Sequence, residues 1–325
     1  MENSLFPKVD YLRISITDRC NLRCFYCQPS GEVPIFHPHQ ILSYEEILQV
    51  VQAAAKVGFR KIRLTGGEPL VRRDLHQLIS RLLAVPGIEE VTLTTNGVLL
   101  EDLASSLFTA GLRRINVSLD TLHPLKFYRI TGNNFFHRVR RGLEKALALG
   151  FEPIKINMVV IRGINDDELE MFARWSLATP FIVRFIEFMP IGPRNGWHPS
   201  KFVSIAEIGS RLNNLGTLSP LAPVASDGPA QVFLLNSSGK IGLIGPLSHC
   251  FCQSCNRMRL TPEGRLRPCL LSDQEIDVRG LLRGNGSEDD LVRLLDQAVL
   301  TKSRPVRSLE QWPQSGSRGM SRIGG

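Results

Sequence analysis

Short segments that alternate apolar and polar residues recur roughly every thirty residues along the first two thirds of the chain, near 11–17, 60–65, 90–95, 113–119, 154–160 and 181–188. Most are separated by stretches of helical period, so each strand returns through a helix and pairs in parallel with its neighbours, which makes the fold class α/β. Six such units fall short of the eight that close a barrel. The expected architecture is therefore a partial (βα)6 TIM-like barrel, with an open doubly wound sheet as the other arrangement of the same units. The first helix is well marked: Ser43-x-x-Glu46 reads as a capping box, Ile47, Val50, Val51 and Ala54 share a face, and Gly58 is a stop. Asp74 reads as the opening of the next helix. Between Gly216 and Gln231 the composition turns to Pro, Ser, Ala and Gly, which divides a core at 4–225 from a C-terminal region at 226–325. That region reads as a hairpin from Val232 to Ile244 around Asn236-Ser-Ser-Gly239, a helix opened by Ser287-x-x-Asp290, and a polar tail beyond Ser303.

The strands carry an unusual face. Strands covered on both sides normally read as continuous apolar runs. Here Leu12, Ile14 and Ile16 oppose Arg13, Ser15 and Thr17; Ile62 and Leu64 oppose Lys61, Arg63 and Thr65; Val91 and Leu93 oppose Thr92 and Thr94. Ile115 and Val117 likewise oppose Asn116 and Ser118, and Ile154 and Ile156 oppose Lys155 and Asn157. If helices cover the apolar face, the polar face lines a cavity whose charges are Arg13, Lys61, Arg63, Lys155 and Arg184, all of one sign. Burying like charges costs several kcal/mol each, so the reading that offsets the cost is a bound polyanion such as a triphosphate. The alternative is a solvated face of an open sheet.

Directly after the first strand comes Cys20-Asn-Leu-Arg-Cys24-Phe-Tyr-Cys27. Three thiolates on one loop can hold a cubane iron-sulfur cluster and leave one iron open for a small molecule. Zinc is the alternative, although no histidine lies in the loop to complete a tetrahedron. A second triplet is Cys252-x2-Cys255-x13-Cys269, with Asn256-Arg257-Met258-Arg259-Leu260-Thr261 inside it and Leu266-Arg267-Pro268-Cys269-Leu270 at its end. By spacing alone it also suits a zinc knuckle completed by His249. The second strand ends in Thr65-Gly66-Gly67-Glu68-Pro69, where paired glycines allow close backbone approach to a ligand and Glu68 can accept from an ammonium.

Cys20-x3-Cys24-x2-Cys27 with Tyr26 before the last cysteine resembles the radical S-adenosylmethionine (SAM) superfamily, and the second triplet with its arginines resembles the GTP 3',8-cyclase family of molybdenum cofactor biosynthesis. The likeness covers nearly the whole chain. It implies two 4Fe-4S clusters, the first on Cys20, Cys24 and Cys27 with SAM on its open iron, the second on Cys252, Cys255 and Cys269 in a C-terminal extension, where the open iron takes the guanine base. It further implies SAM contacts at Tyr26, Gly67, Glu68, Ser118 and Met189. Substrate contacts are implied at Arg13, Lys61, Arg63, Thr94, Lys155, Arg184, Arg257, Met258 and Arg259, and catalytic roles for Arg257, Arg259, Gly324 and Gly325. The implied reaction starts with a 5'-deoxyadenosyl radical that removes the ribose 3' hydrogen of GTP, and ends with 3',8-cyclo-7,8-dihydro-GTP. Implied partners are GTP, an electron donor such as flavodoxin or ferredoxin, cyclic pyranopterin monophosphate synthase as the next enzyme, and a second copy in a homodimer.

Bulk composition agrees with a soluble enzyme of 325 residues, 43% of them hydrophobic. No apolar run approaches the roughly 18 residues of a membrane span and the N-terminus lacks signal-peptide features, so a cytoplasmic protein that binds no membrane is expected. Six of the seven cysteines fall in the triplets, which suits metal ligation rather than disulfides and leaves Cys250 as a bystander. The net charge of +8 permits an anionic partner, but with 7% aromatic residues and scattered basic ones no nucleic acid is expected. No Gly-x4-Gly-Lys phosphate loop occurs, so a nucleotide would be held by its phosphates and transformed elsewhere. Two rivals remain: a radical SAM enzyme that modifies a peptide or RNA, and a zinc-binding nucleic-acid module.

Overall fold

The computed structural model describes residues 8–27, 35–192, 195–222, 228–284, 286–302 and 318–323. Its strands are β1 Tyr11–Ser15, β2 Lys61–Thr65, β3 Glu90–Thr95, β4 Arg114–Ser118, β5 Ile154–Val160, β6 Ile182–Glu187, β7 Leu218–Pro220, β8 Gln231–Leu235, β9 Gly239–Ile244, β10 Arg257–Leu260, β11 Arg265–Arg267 and β12 Ile276–Asp277. Its helices are α1 Tyr44–Val57, α2 Leu75–Leu83, α3 Leu100–Thr109, α4 Pro124–Thr131, α5 Phe136–Ala148, α6 Leu169–Ala178, α7 Ile205–Asn213, α8 Val278–Arg283, α9 Glu288–Leu300 and α10 Met320–Ile323.

The strands β1 to β6 pair in parallel and in sequence order, as a partial barrel requires. The apolar set of each strand, from Leu12 and Ile14 through Ile62, Leu64, Leu93, Val117 and Ile156, is buried in one core beneath the helices. The opposite face is the polar one, and it turns inward. Local signals behave as their chemistry dictates. Ser43 and Glu46 exchange capping bonds at 3.1 and 2.7 Å, and Gly58 ends α1 at φ 108°, a conformation that favours glycine. Asp74 does precede α2, but its side chain makes no capping bond.

The sheet is wider than six strands. β9 runs parallel to β6 on one edge and β10 parallel to β1 on the other, each followed outward by antiparallel strands, in the order β12-β11-β10-β1-β2-β3-β4-β5-β6-β9-β8-β7. The C-terminal region is thus not appended to the barrel but sewn onto both of its edges. The boundary expected near 225 lies outside the described residues. The β8–β9 hairpin turns at Asn236 and Ser237, both at positive φ, 49° and 63°, which matches the twist of the flanking strands.

One carboxylate ties these parts together. Glu187, at the end of β6 and 0% exposed, accepts from the backbone N–H groups of Ile205 at 2.9 Å, Leu247 at 2.8 Å and Ser248 at 3.0 Å, and from the Ser248 hydroxyl. It thereby joins the barrel, the start of α7 and the loop that leads to the second cysteine triplet. Glu187→Ala leaves two buried backbone donors, those of Ile205 and Leu247, unsatisfied at about 1 kcal/mol or more each, so we expect a loss of about 2 kcal/mol or more in denaturant unfolding.

Candidate active site

The inward face of the barrel borders a cavity of about 290 Å³ that reaches from Tyr11 and Arg257, at the starts of β1 and β10, to Thr95 and Ser118, at the ends of β3 and β4. Its wall has two chemically distinct halves.

One half is thiol. Cys20, Cys24 and Cys27 border the cavity on the loop after β1, closed by a turn in which Cys27 N–H donates to Cys24 O at 2.9 Å. Burial pushes the Cys20 thiol up to about 11 and the Cys27 thiol up to about 12; Cys24 is also raised, by burial first and then by Cys27, Asp120 and Cys20. Three half-buried thiols that resist ionising beside one another are a donor set that a cationic group would draw into the thiolate form, and the soft sulfur set fits an iron-sulfur cluster. Among the described residues no three His, Cys, Asp or Glu side chains converge on a single-ion site. The loop is held from behind. Gly67 N–H donates to Thr17 O and Glu68 N–H to Arg19 O, both at 2.7 Å, and a Cβ on Gly67 would sit 2.3 Å from Arg19 O. The glycine pair is therefore required by the chain's own backbone as well as allowing close approach of a ligand. Glu68 borders the cavity, yet its carboxylate already accepts from Leu70 N–H at 3.0 Å, the Thr95 hydroxyl at 2.7 Å and Asn96 N–H at 2.6 Å. Burial still pushes its carboxyl up to about 7.

The other half is cationic. Arg13, Arg63, Arg184, Arg257 and Arg259 line it together with Thr94, Asn116, Ser118 and Asn157. Parallel register sets Arg13 between Arg63 and Arg259, and Tyr11 beside Arg257. Burial lowers Arg13 well below the usual guanidinium range, and Arg259 and Arg63 lower it further. Arg259 is brought down to about 10 by burial first and then by Arg257. Arg63 donates to the Tyr11 hydroxyl and, at 3.4 Å, to Thr94 Oγ1; Arg184 donates to Asn157 Oδ1 at 2.9 Å. Burial raises the Tyr11 phenol, but the charges of Arg63 and Arg13 outweigh it and leave it lowered. A wall with this excess of positive charge selects for anions.

Not every expected contact reaches the cavity. Lys61 lies on the inner face but pairs with Asp10 at 3.8 Å, and Lys155 is buried on that face beside Asn116; neither borders the cavity. Met258 is a correction: it registers with Leu12 on the apolar face, and its side chain is packed in the core. Tyr26, Ser118 and Met189 do border the cavity. Tyr26 donates to Asp120 Oδ2 at 2.5 Å, and Asp120 Oδ1 accepts from Val159 N–H at 2.9 Å.

The second triplet lies directly behind the cationic half, since its neighbours Phe251, Arg257 and Leu270 border the cavity. Cys252 and Cys255 share a turn in which Cys255 N–H donates to Cys252 O at 3.2 Å. Burial pushes Cys252 up to about 12, helped by Cys250, Cys269 and Cys255, so all four thiols are neighbours. Cys250 is thus a neighbour of the triplet. His249 instead meets Gln231 at 3.0 Å. The C-terminal segment adjoins the chamber: Met320 and Ser321 border it, and Arg259 donates to Ile323 O at 3.3 Å. Arg318 anchors that segment through Glu263 and, at 2.8 Å, Glu275. Gly324 and Gly325 lie outside the described residues. Tyr11, Asp120 and the segment 320–323 escaped sequence reasoning, although Tyr11 and Asp120 follow the parity of the polar face.

Residues 14–176 match the family described as the radical SAM superfamily, and residues 181–307 match the one described as Molybdenum Cofactor Synthesis C. A GTP 3',8-cyclase from Moorella thermoacetica is 45% identical over 326 residues, covering 100% of both chains. One from Thermodesulfovibrio yellowstonii is 44% identical over 319 residues, covering 95% of this chain and 98% of its own. Among solved structures, Streptococcus suis SuiB bound to S-adenosylmethionine superposes with a TM-score of 0.61 at 15% identity, covering 83% of this chain. The chain spans 63% of that structure, and the likeness is one of fold.

Proposed function

The chain belongs to the radical SAM superfamily and, within it, to the GTP 3',8-cyclase family of molybdenum cofactor biosynthesis, and from this premise we propose how its chamber converts GTP to (8S)-3',8-cyclo-7,8-dihydro-GTP. The observation that carries the reading is one cavity walled by a thiol triplet on one side and by guanidinium groups backed by a second triplet on the other. Relatives of that name along the full chain set aside peptide or RNA modification and the zinc module.

Cys20, Cys24 and Cys27 would hold one 4Fe-4S cluster, and Cys252, Cys255 and Cys269 a second. When bound, the first cluster and SAM supply a 5'-deoxyadenosyl radical for removal of the ribose 3' hydrogen, and the second cluster supplies an open iron for the guanine base. Arg13, Arg63 and Arg184 hold the triphosphate, and Thr94 and Asn157, each already bonded to one of these arginines, fix their aim. Arg257 and Arg259 orient the nucleotide in front of the second triplet. Tyr26, pinned by Asp120, and Ser118 and Met189 shape the SAM side. Met320 and Ser321 exclude water while both ends of the reaction are held in place. Gly324 and Gly325 would extend this closure. The electron would come from flavodoxin or ferredoxin, and the product would pass to cyclic pyranopterin monophosphate synthase. We place the protein in the cytoplasm, as a homodimer; among the described residues no helix is long and apolar enough to cross a membrane.

Anaerobic reconstitution tests this. With SAM and a reductant, 5'-deoxyadenosine should form faster with GTP than with ATP or no nucleotide, and GTP should be consumed. Formation indifferent to GTP would reject the substrate assignment.

A further inference from the structure

Lys302 stands just beyond the C-terminal end of α9, and its ammonium donates to the backbone carbonyl of Arg257 at 2.8 Å and to that of Pro268. Those two carbonyls belong to the segments that carry the second triplet, for Arg257 follows Cys255 by two residues and Pro268 immediately precedes Cys269. Only 8% of Lys302 is exposed. Lysine is seldom so deep unless its charge is matched, and backbone carbonyls of both cysteine-bearing segments accept from it. Arg257 and Lys302 differ in station. Arg257 borders the cavity, within 5.2 Å of the Phe251 ring centroid, whereas Lys302 does not border it.

We propose that Lys302 is the positioning residue of the second cysteine triplet: one ammonium clamps the two cysteine-bearing segments together and offsets the negative charge that three thiolates bring when they ligate a cluster. This rests on the second triplet holding an iron-sulfur cluster, as proposed above. It also gives α9 a purpose beyond cover. Leu291, Leu295 and Ala298 bury one face of the helix in the core, and its capping box at Ser287 and Asp290 fixes where it starts. A helix held at one end and along one side aims whatever follows its other end, here Lys302. Partners of this kind, one step removed from the ligands, typically change metal affinity by about 10- to 100-fold when removed.

The test uses the full chain with Cys20, Cys24 and Cys27 changed to Ser, so that any cluster is the second one. In this parent, in Lys302→Met and in Lys302→Arg, one measures iron and sulfide per chain, the rate of iron release to a chelator, and the midpoint potential. Lys302→Met should release iron about tenfold faster and have a more negative potential, because the charge that favoured the added electron is gone. Lys302→Arg should stay near the parent. Lys302→Met with the parent's release rate and potential, or Lys302→Arg as labile as Lys302→Met, would overturn the proposal. If Lys302→Met does not fold, Lys302→Gln, which keeps two donors without the charge, is read against the same results. A parent that binds no iron would instead overturn the second-cluster reading on which the proposal stands.

Discussion

Cys24→Ser should lower 5'-deoxyadenosine formation by more than about 100-fold, a larger loss than the removal of an outer-shell partner typically causes. The substitution is nearly isosteric, and Cys24 packs only partly buried against the core, so the fold should survive it. What changes is chemistry. A serine hydroxyl is a hard ligand that stays protonated, and an iron-sulfur cluster wants a soft thiolate. Iron per chain should fall by about half if each triplet holds one cluster of equal size. Cys255→Ser makes the informative contrast: a similar loss of iron, SAM cleavage retained, and the response to GTP lost. The two variants thus separate the half of the cavity that makes the radical from the half that presents the substrate. Unchanged deoxyadenosine formation in Cys24→Ser would dismiss the first triplet as the radical site.

Both halves were visible in the chain before any coordinates, and for the same reason. Strand parity is strict, so once β1 to β6 were read as parallel strands, Arg13, Arg63 and Arg184 had to share the inner face. Parity does not say how far along a strand a side chain reaches. That is why Lys61, drawn to Asp10, and Lys155 shared the face without bordering the cavity. Met258 shows a different failure: a motif names neighbours in sequence, whereas a strand sends Arg257 and Arg259 one way and Met258 the other. The edges of the sheet were illegible because β9 and β10 pair across long stretches of chain, with no local pattern to announce the pairing. Glu187 and Lys302 were hidden likewise. Each looks ordinary in sequence and acquires its work only from backbone groups brought from elsewhere, Leu247 and Ser248 for one, Arg257 and Pro268 for the other.

Replacement of one cavity cation should have effects of opposite sign on stability and on binding. Arg13 is flanked in register by Arg63 and Arg259, and its charge is opposed by burial and by both neighbours. Arg13 is half-buried and borders the cavity. Methionine keeps an unbranched stem of similar reach and removes the charge. By analogy with other buried ionic groups replaced by apolar ones, Arg13→Met should leave the cluster-free, nucleotide-free protein as stable as before or up to about 1–4 kcal/mol more stable. The same change strips one guanidinium from the proposed triphosphate site, a loss of about 2–5 kcal/mol, which is roughly 30-fold or more in GTP dissociation constant. Thermal unfolding without ligand and GTP titration at fixed ionic strength read the two signs separately. A marked fall in unfolding temperature would mean that Arg13 is matched within the chain, and the argument from crowded like charges to a bound polyanion would fail. A gain in stability with weaker GTP binding would mean that the repulsion stored along β1, β2 and β10 is relieved when the triphosphate enters, so that part of the binding free energy is already present in the empty barrel.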